Sequence, residues 1–169
     1  MELMSKKTEA QILAEAFEFT RGLSKFYLSK LDGLDLDQRP EIGGVKFNSP
    51  YWIAAHLVWT EHFLLIEGMG APSMHIPWID QFSIGSNPEE IMEKPKYSEI
   101  LEKLDEVHEI AMEKVLSMTD EELDEPNSIN ATFGGANNKR NVIKHAIRHE
   151  PMHIGQLSWI LKANGVEMF

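Results

Sequence analysis

The sequence predicts an all-α protein: a four-helix bundle with long connections between helices one and two and between helices two and three. Two observations predict it. Four long segments carry apolar side chains at the three-to-four spacing of a helix with one buried face, and residues that start or stop helices bracket them. No stretch alternates apolar and polar side chains as a half-buried strand would.

Helix one is expected from Thr8 to Leu31, with Leu13, Ala16, Phe17, Leu23, Tyr27, Leu28 and Leu31 forming its stripe and Thr8 with Gln11 a capping box. The polar connector "DGLDLDQRPEIGG" follows. Helix two opens at "NSPYW", where Ser49 suits the N-cap and Pro50 the first helical position, and it runs to about Glu67 before the glycines of "GMG". Its inward stripe is Trp52, His56, Trp59, Phe63 and Glu67, flanked by Leu57 and Leu64. Prolines 72, 77, 88 and 95 then break the chain into a long loop carrying Trp78 and Phe82, with a short helical turn after Asn87. Loops of this length often act as lids, so it is expected to roof the pocket.

Helix three is "YSEILEKLDEVHEIAMEKVLSM", buried along Leu101, Leu104, His108, Ala111, Val115 and Met118. A second capping box, Thr119 to Glu122, marks a single turn, and a loop containing "TFGGANN" leads to helix four from about Lys139 to Ala163, with Asn164 and Gly165 as its C-cap.

The chain has 169 residues, which suits a single domain over 1–169 that buries about 70% of the surface its unfolded form exposes. It has no cysteine, so thiolate metal sites and cysteine nucleophiles are excluded, and a metal would be held by His, Asp or Glu. A net charge of -11, with 16 basic residues among 27 acidic ones, argues against nucleic acid and for small molecules or protein partners. The start of the chain, "MELMSKKTEAQ", lacks the apolar core of a signal peptide, and no apolar run is long enough to span a membrane. A cytoplasmic location is the expectation.

Seven histidines offer the chemistry. His62 stands about 240° around helix two from His56 and His75 lies in the proline-rich loop, so both read as surface residues. His108 reads as a hydrogen-bonded core histidine rather than a ligand. His149 and His153 are four residues apart on a stripe with Val142, Ala146 and Ile160, where two polar rings need partners or pay a desolvation penalty. His145 extends the ladder but sits about 80° from His153, a weaker partner. His56, mid-stripe on another helix, completes a set of three imidazoles that a divalent metal would satisfy while keeping an open position for water or substrate.

"RHEPMHIGQL" also spells the H-E-x-x-H pattern of zinc peptidases. One peptidase extension needs Gly at 156 and His at 159, where this chain has Gln156 and Trp159; another needs a glutamate some two dozen residues on, and only 16 residues follow His153. Glu150 has two readings, a general base beside a ligand or a supporting carboxylate. Pro151 lies between the two histidines, removes a backbone donor to Ile147, and is expected to leave helix four bent but continuous.

The segments "WIAAHLVWTEHFLL", "LSMTDEELDEP" and "HAIRHEPMHIGQLSWILKANG" resemble the DinB/YfiT-like family of four-helix-bundle metalloproteins over nearly the whole chain. The resemblance implies a divalent metal, zinc or nickel, on His56, His149 and His153. It also implies thiol-dependent transferase or hydrolase chemistry on a small-molecule substrate, with a low-molecular-weight thiol as a possible co-substrate, and a homodimer. The alternative is a non-catalytic metal-binding or protein-interaction bundle.

Overall fold

The computed structural model describes residues 6–168; the chain start read for a leader lies partly outside them. Helix α1 spans Glu9–Ser29, and its capping box closes as expected, with the Thr8 hydroxyl accepting from the Gln11 N–H and the Gln11 side chain accepting from the Thr8 N–H. The buried face is Ala10, Leu13, Ala14, Phe17, Arg21, Ser24 and Leu28. Ala16 and Leu23, expected on the stripe, are exposed, because the inward face is centred on Phe17 and Arg21 instead.

The connector that follows contains a feature that the periodicity did not predict: a two-residue hairpin, β1 (Glu41–Ile42) and β2 (Val45–Lys46), paired antiparallel. Strands this short contain too few residues to show alternation. Gly43 and Gly44 form its turn with φ of 60° and 80°, the left-handed values glycine adopts without strain.

Helix α2 spans Pro50–Glu61, capped by Ser49 with Pro50 in its first turn, and continues as a π-helical turn over His62–Glu67. The expected end near Glu67 is therefore right, although the last turn is wider than α. The N–H of Gly68 closes that turn on the carbonyl of Phe63, five residues back, at 2.9 Å. Short 3-10 turns at Ile79–Phe82 and Pro88–Glu90 punctuate the long loop, the second capped by Asn87 as expected.

Helix α3 spans Tyr97–Leu116, α4 is the single turn Asp120–Asp124 capped by Thr119, and α5 spans Lys139–Ala163, capped by the Asn138 side chain. Helix α5 runs unbroken through Pro151. The bundle is a square of neighbours: α1 packs on α5 and α3, and α2 packs on α3 and α5. One continuous apolar core fills it, with Phe17, Leu57, Leu104, Val142 and Leu161 each almost fully buried. No described helix is long and apolar enough to cross a membrane.

Candidate metal centre

The pairing of α2 with α5 sets the site. Register places His56 in the middle of α2 with its ring stacked between Trp52, at 4.5 Å and 15°, and Trp59, at 5.5 Å and 18°. Trp59 in turn stacks on Phe63 at 5.0 Å, so the predicted stripe of α2 forms a ladder of four rings. His149 and His153 lie one helical turn apart on α5, with centroids 5.5 and 4.9 Å from the His56 ring. One ring nitrogen from each of the three lies within 4.8 Å of the others, a group able to hold a metal ion.

Hydrogen bonds orient two of these rings. His56 Nδ1 donates to the carbonyl of Phe82 at 2.6 Å, which leaves Nε2 with the lone pair; the Thr60 hydroxyl approaches that nitrogen at 3.3 Å. His153 Nδ1 donates to the Gln156 side-chain oxygen at 3.1 Å. A ligating imidazole ordinarily has its other N–H held in this way, which fixes its tautomer. His149 Nδ1 is buried and has no hydrogen-bond partner. A cavity of about 10 Å³, lined by Thr60, Glu61, His149 and Glu150 among others, lies beside it.

Electrostatics fit the same use. Burial lowers His56 to about 4, with the Phe82 bond opposing and His153 reinforcing the shift. Burial and the neighbouring His153, His56, His145 and Arg148 lower His149 to about 3. His153 is lowered by burial as well, against the opposing pull of Gln156 and Glu150. All three rings are therefore neutral at pH 7, the state in which imidazole offers a lone pair. Tetrahedral bonds of about 2.0 to 2.1 Å put ligand nitrogens about 3.4 Å apart, so the donor set, spacing and protonation suit a divalent metal.

The other histidines separate by environment. His145 is half-buried, stacked on Phe133 at 3.8 Å, and accepts from Arg148 through Nδ1; it is outside the cluster. His75 is exposed as expected. His62 is not a surface residue: it is 3% exposed, and its Nε2 accepts from the Met74 N–H at 2.9 Å. The long loop folds back over that side of α2, a tertiary contact that helical periodicity alone cannot show. His108 is half-buried between two carboxylates, with Nδ1 at 2.7 Å from Glu61 and Nε2 at 2.8 Å from Glu18.

Glu150 resolves in favour of the supporting carboxylate. It is 3% exposed and both of its oxygens are held by Arg21, which also binds Glu61 at 2.5 Å and the Leu104 carbonyl at 3.2 Å. Sequence reasoning missed Arg21, although its place between Phe17 and Ser24 on the inward stripe of α1 was a signal. The long loop expected as a roof reaches the site through the Phe82 carbonyl, whereas a cavity of about 630 Å³ is walled by the connector around the hairpin and by the C-terminal half of α5.

A four-helix bundle with three neutral histidines converging from facing helices defines a class of metal-competent helical proteins. The family model described as the DinB superfamily matches residues 16–157, and the chain belongs to that superfamily. No curated protein matches the chain.

Proposed function

We propose that this protein is a divalent-metal-dependent enzyme of the thiol-dependent transferase or hydrolase type, with His56, His149 and His153 holding zinc or nickel. The observation that carries this reading is the convergence of three neutral ring nitrogens within 4.8 Å. When bound, such a metal would supply Lewis acidity at an open position, toward either a thiol or a water.

The chain's own residues do the positioning. Phe82 and Gln156 fix the proton of His56 and His153 on Nδ1, so that each ring presents Nε2. The ladder of Trp52, Trp59 and Phe63 packs apolar rings around His56 and keeps its surroundings poor in water. Arg21 takes both oxygens of Glu150, which removes that carboxylate as a general base.

The reading includes a small-molecule substrate, a cytoplasmic location and a homodimer. Ile12, Phe19 and Leu23, spaced by seven and four residues, are exposed together on one face of α1 and suit the dimer contact. Elemental analysis of the purified protein tests the core of the proposal: one divalent metal per chain is expected, lost in His56→Ala. A thermal-shift screen of low-molecular-weight thiols then separates the two chemistries, since a shift that requires both metal and thiol marks the transferase. A protein free of stoichiometric metal, or His56→Ala with undiminished metal content, overturns the assignment.

A further inference from the structure

The cavity of about 630 Å³ is within the size range of pockets that bury a drug-sized ligand. Its apolar wall is Ile42 and Phe47 from the hairpin segment and Met152 and Trp159 from α5, all between 45% and 76% exposed. Its polar wall is made of carboxamides, those of Gln38, Asn48, Gln156 and Asn164. Among the described residues that line it, Glu41 alone is charged. No lysine or arginine is there to receive a phosphate, sulfate or carboxylate, and the chain as a whole carries a net charge of -11.

The cavity also abuts the histidine cluster. At about 100° per residue, Met152 and Gln156 lie within about 60° of His149 around α5, one and two turns further on. Gln156 belongs to both places: its Oε1 accepts from His153 Nδ1, which leaves its amide NH2 to donate to an occupant. An occupant of the cavity thus touches a side chain that orients a candidate metal ligand.

We infer that this cavity is the substrate-binding site and that it selects an uncharged molecule with a flat apolar body. The rings of Trp159 and Phe47 contact that body, and the carboxamides hydrogen-bond its neutral polar groups. The link to chemistry rests on the metal reading above, whereas the binding preference is independent of it. The exposed apolar face of α1 contributes no residue to the cavity, so a dimer formed through α1 leaves it open.

The test is a matched pair of dyes, neutral N-phenyl-1-naphthylamine and its anionic analogue 1-anilinonaphthalene-8-sulfonate, titrated into the full chain before and after chelator treatment. The expected result is one neutral dye per chain, at least tenfold tighter than the sulfonate, unchanged by the chelator, and weakened at least tenfold by Trp159→Glu. Equal binding of the two dyes, or neutral-dye binding indifferent to Trp159→Glu, overturns the inference. So does sedimentation showing that Trp159→Glu dissociates a dimer and only then admits the dye, because a second copy would then be the occupant. In protein carrying one metal per chain, 2-naphthalenemethanethiol is expected to displace the dye at least tenfold better than from chelator-treated protein. Equal displacement breaks the link between cavity and metal, whereas a protein that holds no metal overturns the metal reading and leaves the dye result standing.

Discussion

Arg21 on α1 holds Glu150 on α5 through two parallel bonds, Nε to Oε1 at 3.0 Å and Nη2 to Oε2 at 2.8 Å. Their side chains are 1% and 4% exposed, and Glu61 on α2 shares the same guanidinium. With its bond to the Leu104 carbonyl on α3, this one cation ties all four long helices together. Removing one partner of a buried ion pair leaves an uncompensated charge, which costs roughly 3 to 5 kcal/mol. Arg21→Ala strands Glu150 and leaves Glu61 with His108 as its remaining partner, and is expected to lose at least that much in urea unfolding at pH 7. Adding Glu150→Gln to that variant is expected to recover part of the loss. A mild effect of Arg21→Ala would show that water enters and solvates the pair.

His108 gives the fold a pH dependence of definite sign. Burial pulls its pKa down and Arg21 opposes its charge, but the hydrogen bonds and charge of Glu61 and the hydrogen bond of Glu18 outweigh both and raise it above the ordinary 6.5. With carboxylates at both ring nitrogens, only the doubly protonated ring donates to each. A raised folded-state value contributes stability that is complete below the unfolded value of 6.5 and is lost as pH rises through the folded value. The stability gap between the native protein and His108→Gln is therefore expected to be largest at pH 6 and to shrink by pH 9, read from urea unfolding at each pH. A constant gap would mean that His108 is neutral in the folded protein.

The helices were legible because local chemistry marks their ends: the hydroxyls of Thr8, Ser49 and Thr119 each accept the expected N–H. The histidine cluster was legible because 3.6-residue periodicity converts spacing into facing, and it put His56, His149 and His153 on inward stripes. What the sequence hid depends on contacts between distant segments. His62 is buried by a loop eleven or more residues away, Glu150 is claimed by an arginine 129 positions earlier, and the cavity is walled by a hairpin too short to alternate. Arg21 shows the limit most clearly: a charged residue on an apolar stripe looks like a breach until its two carboxylate partners arrive from other helices.

Gln156 offers a test of how outer hydrogen bonds tune the centre. Its side chain is exposed, so Gln156→Leu is expected to leave the fold intact while removing the acceptor for His153 Nδ1. Loss of such a partner lowers metal affinity by roughly 10- to 100-fold. Titration against a competing chelator reads the change directly. An unchanged affinity would show that the carboxamide does not set the tautomer of His153.

Gly68 tests the π-helical turn that ends the second long helix. Its φ of -60° suits any residue, so by itself Gly68→Ala would be favoured by about 0.4 to 1 kcal/mol through the unfolded chain. A Cβ there, however, would lie 2.2 Å from the carbonyl oxygen of Leu64 and 3.1 Å from its carbon, both backbone atoms with no rotamer to escape into. The backbone would have to shift, and with it the Gly68 N–H that closes the turn on Phe63 and the Gly68 carbonyl that accepts from Ser128. Overpacking of this kind costs roughly 1 to 3 kcal/mol and outweighs the entropic gain. Gly68→Ala is thus expected to lower the melting temperature while metal content stays at the native level, because His56 lies more than three turns upstream. An equally stable variant would show that the wide turn relaxes to an ordinary α-helical one without cost.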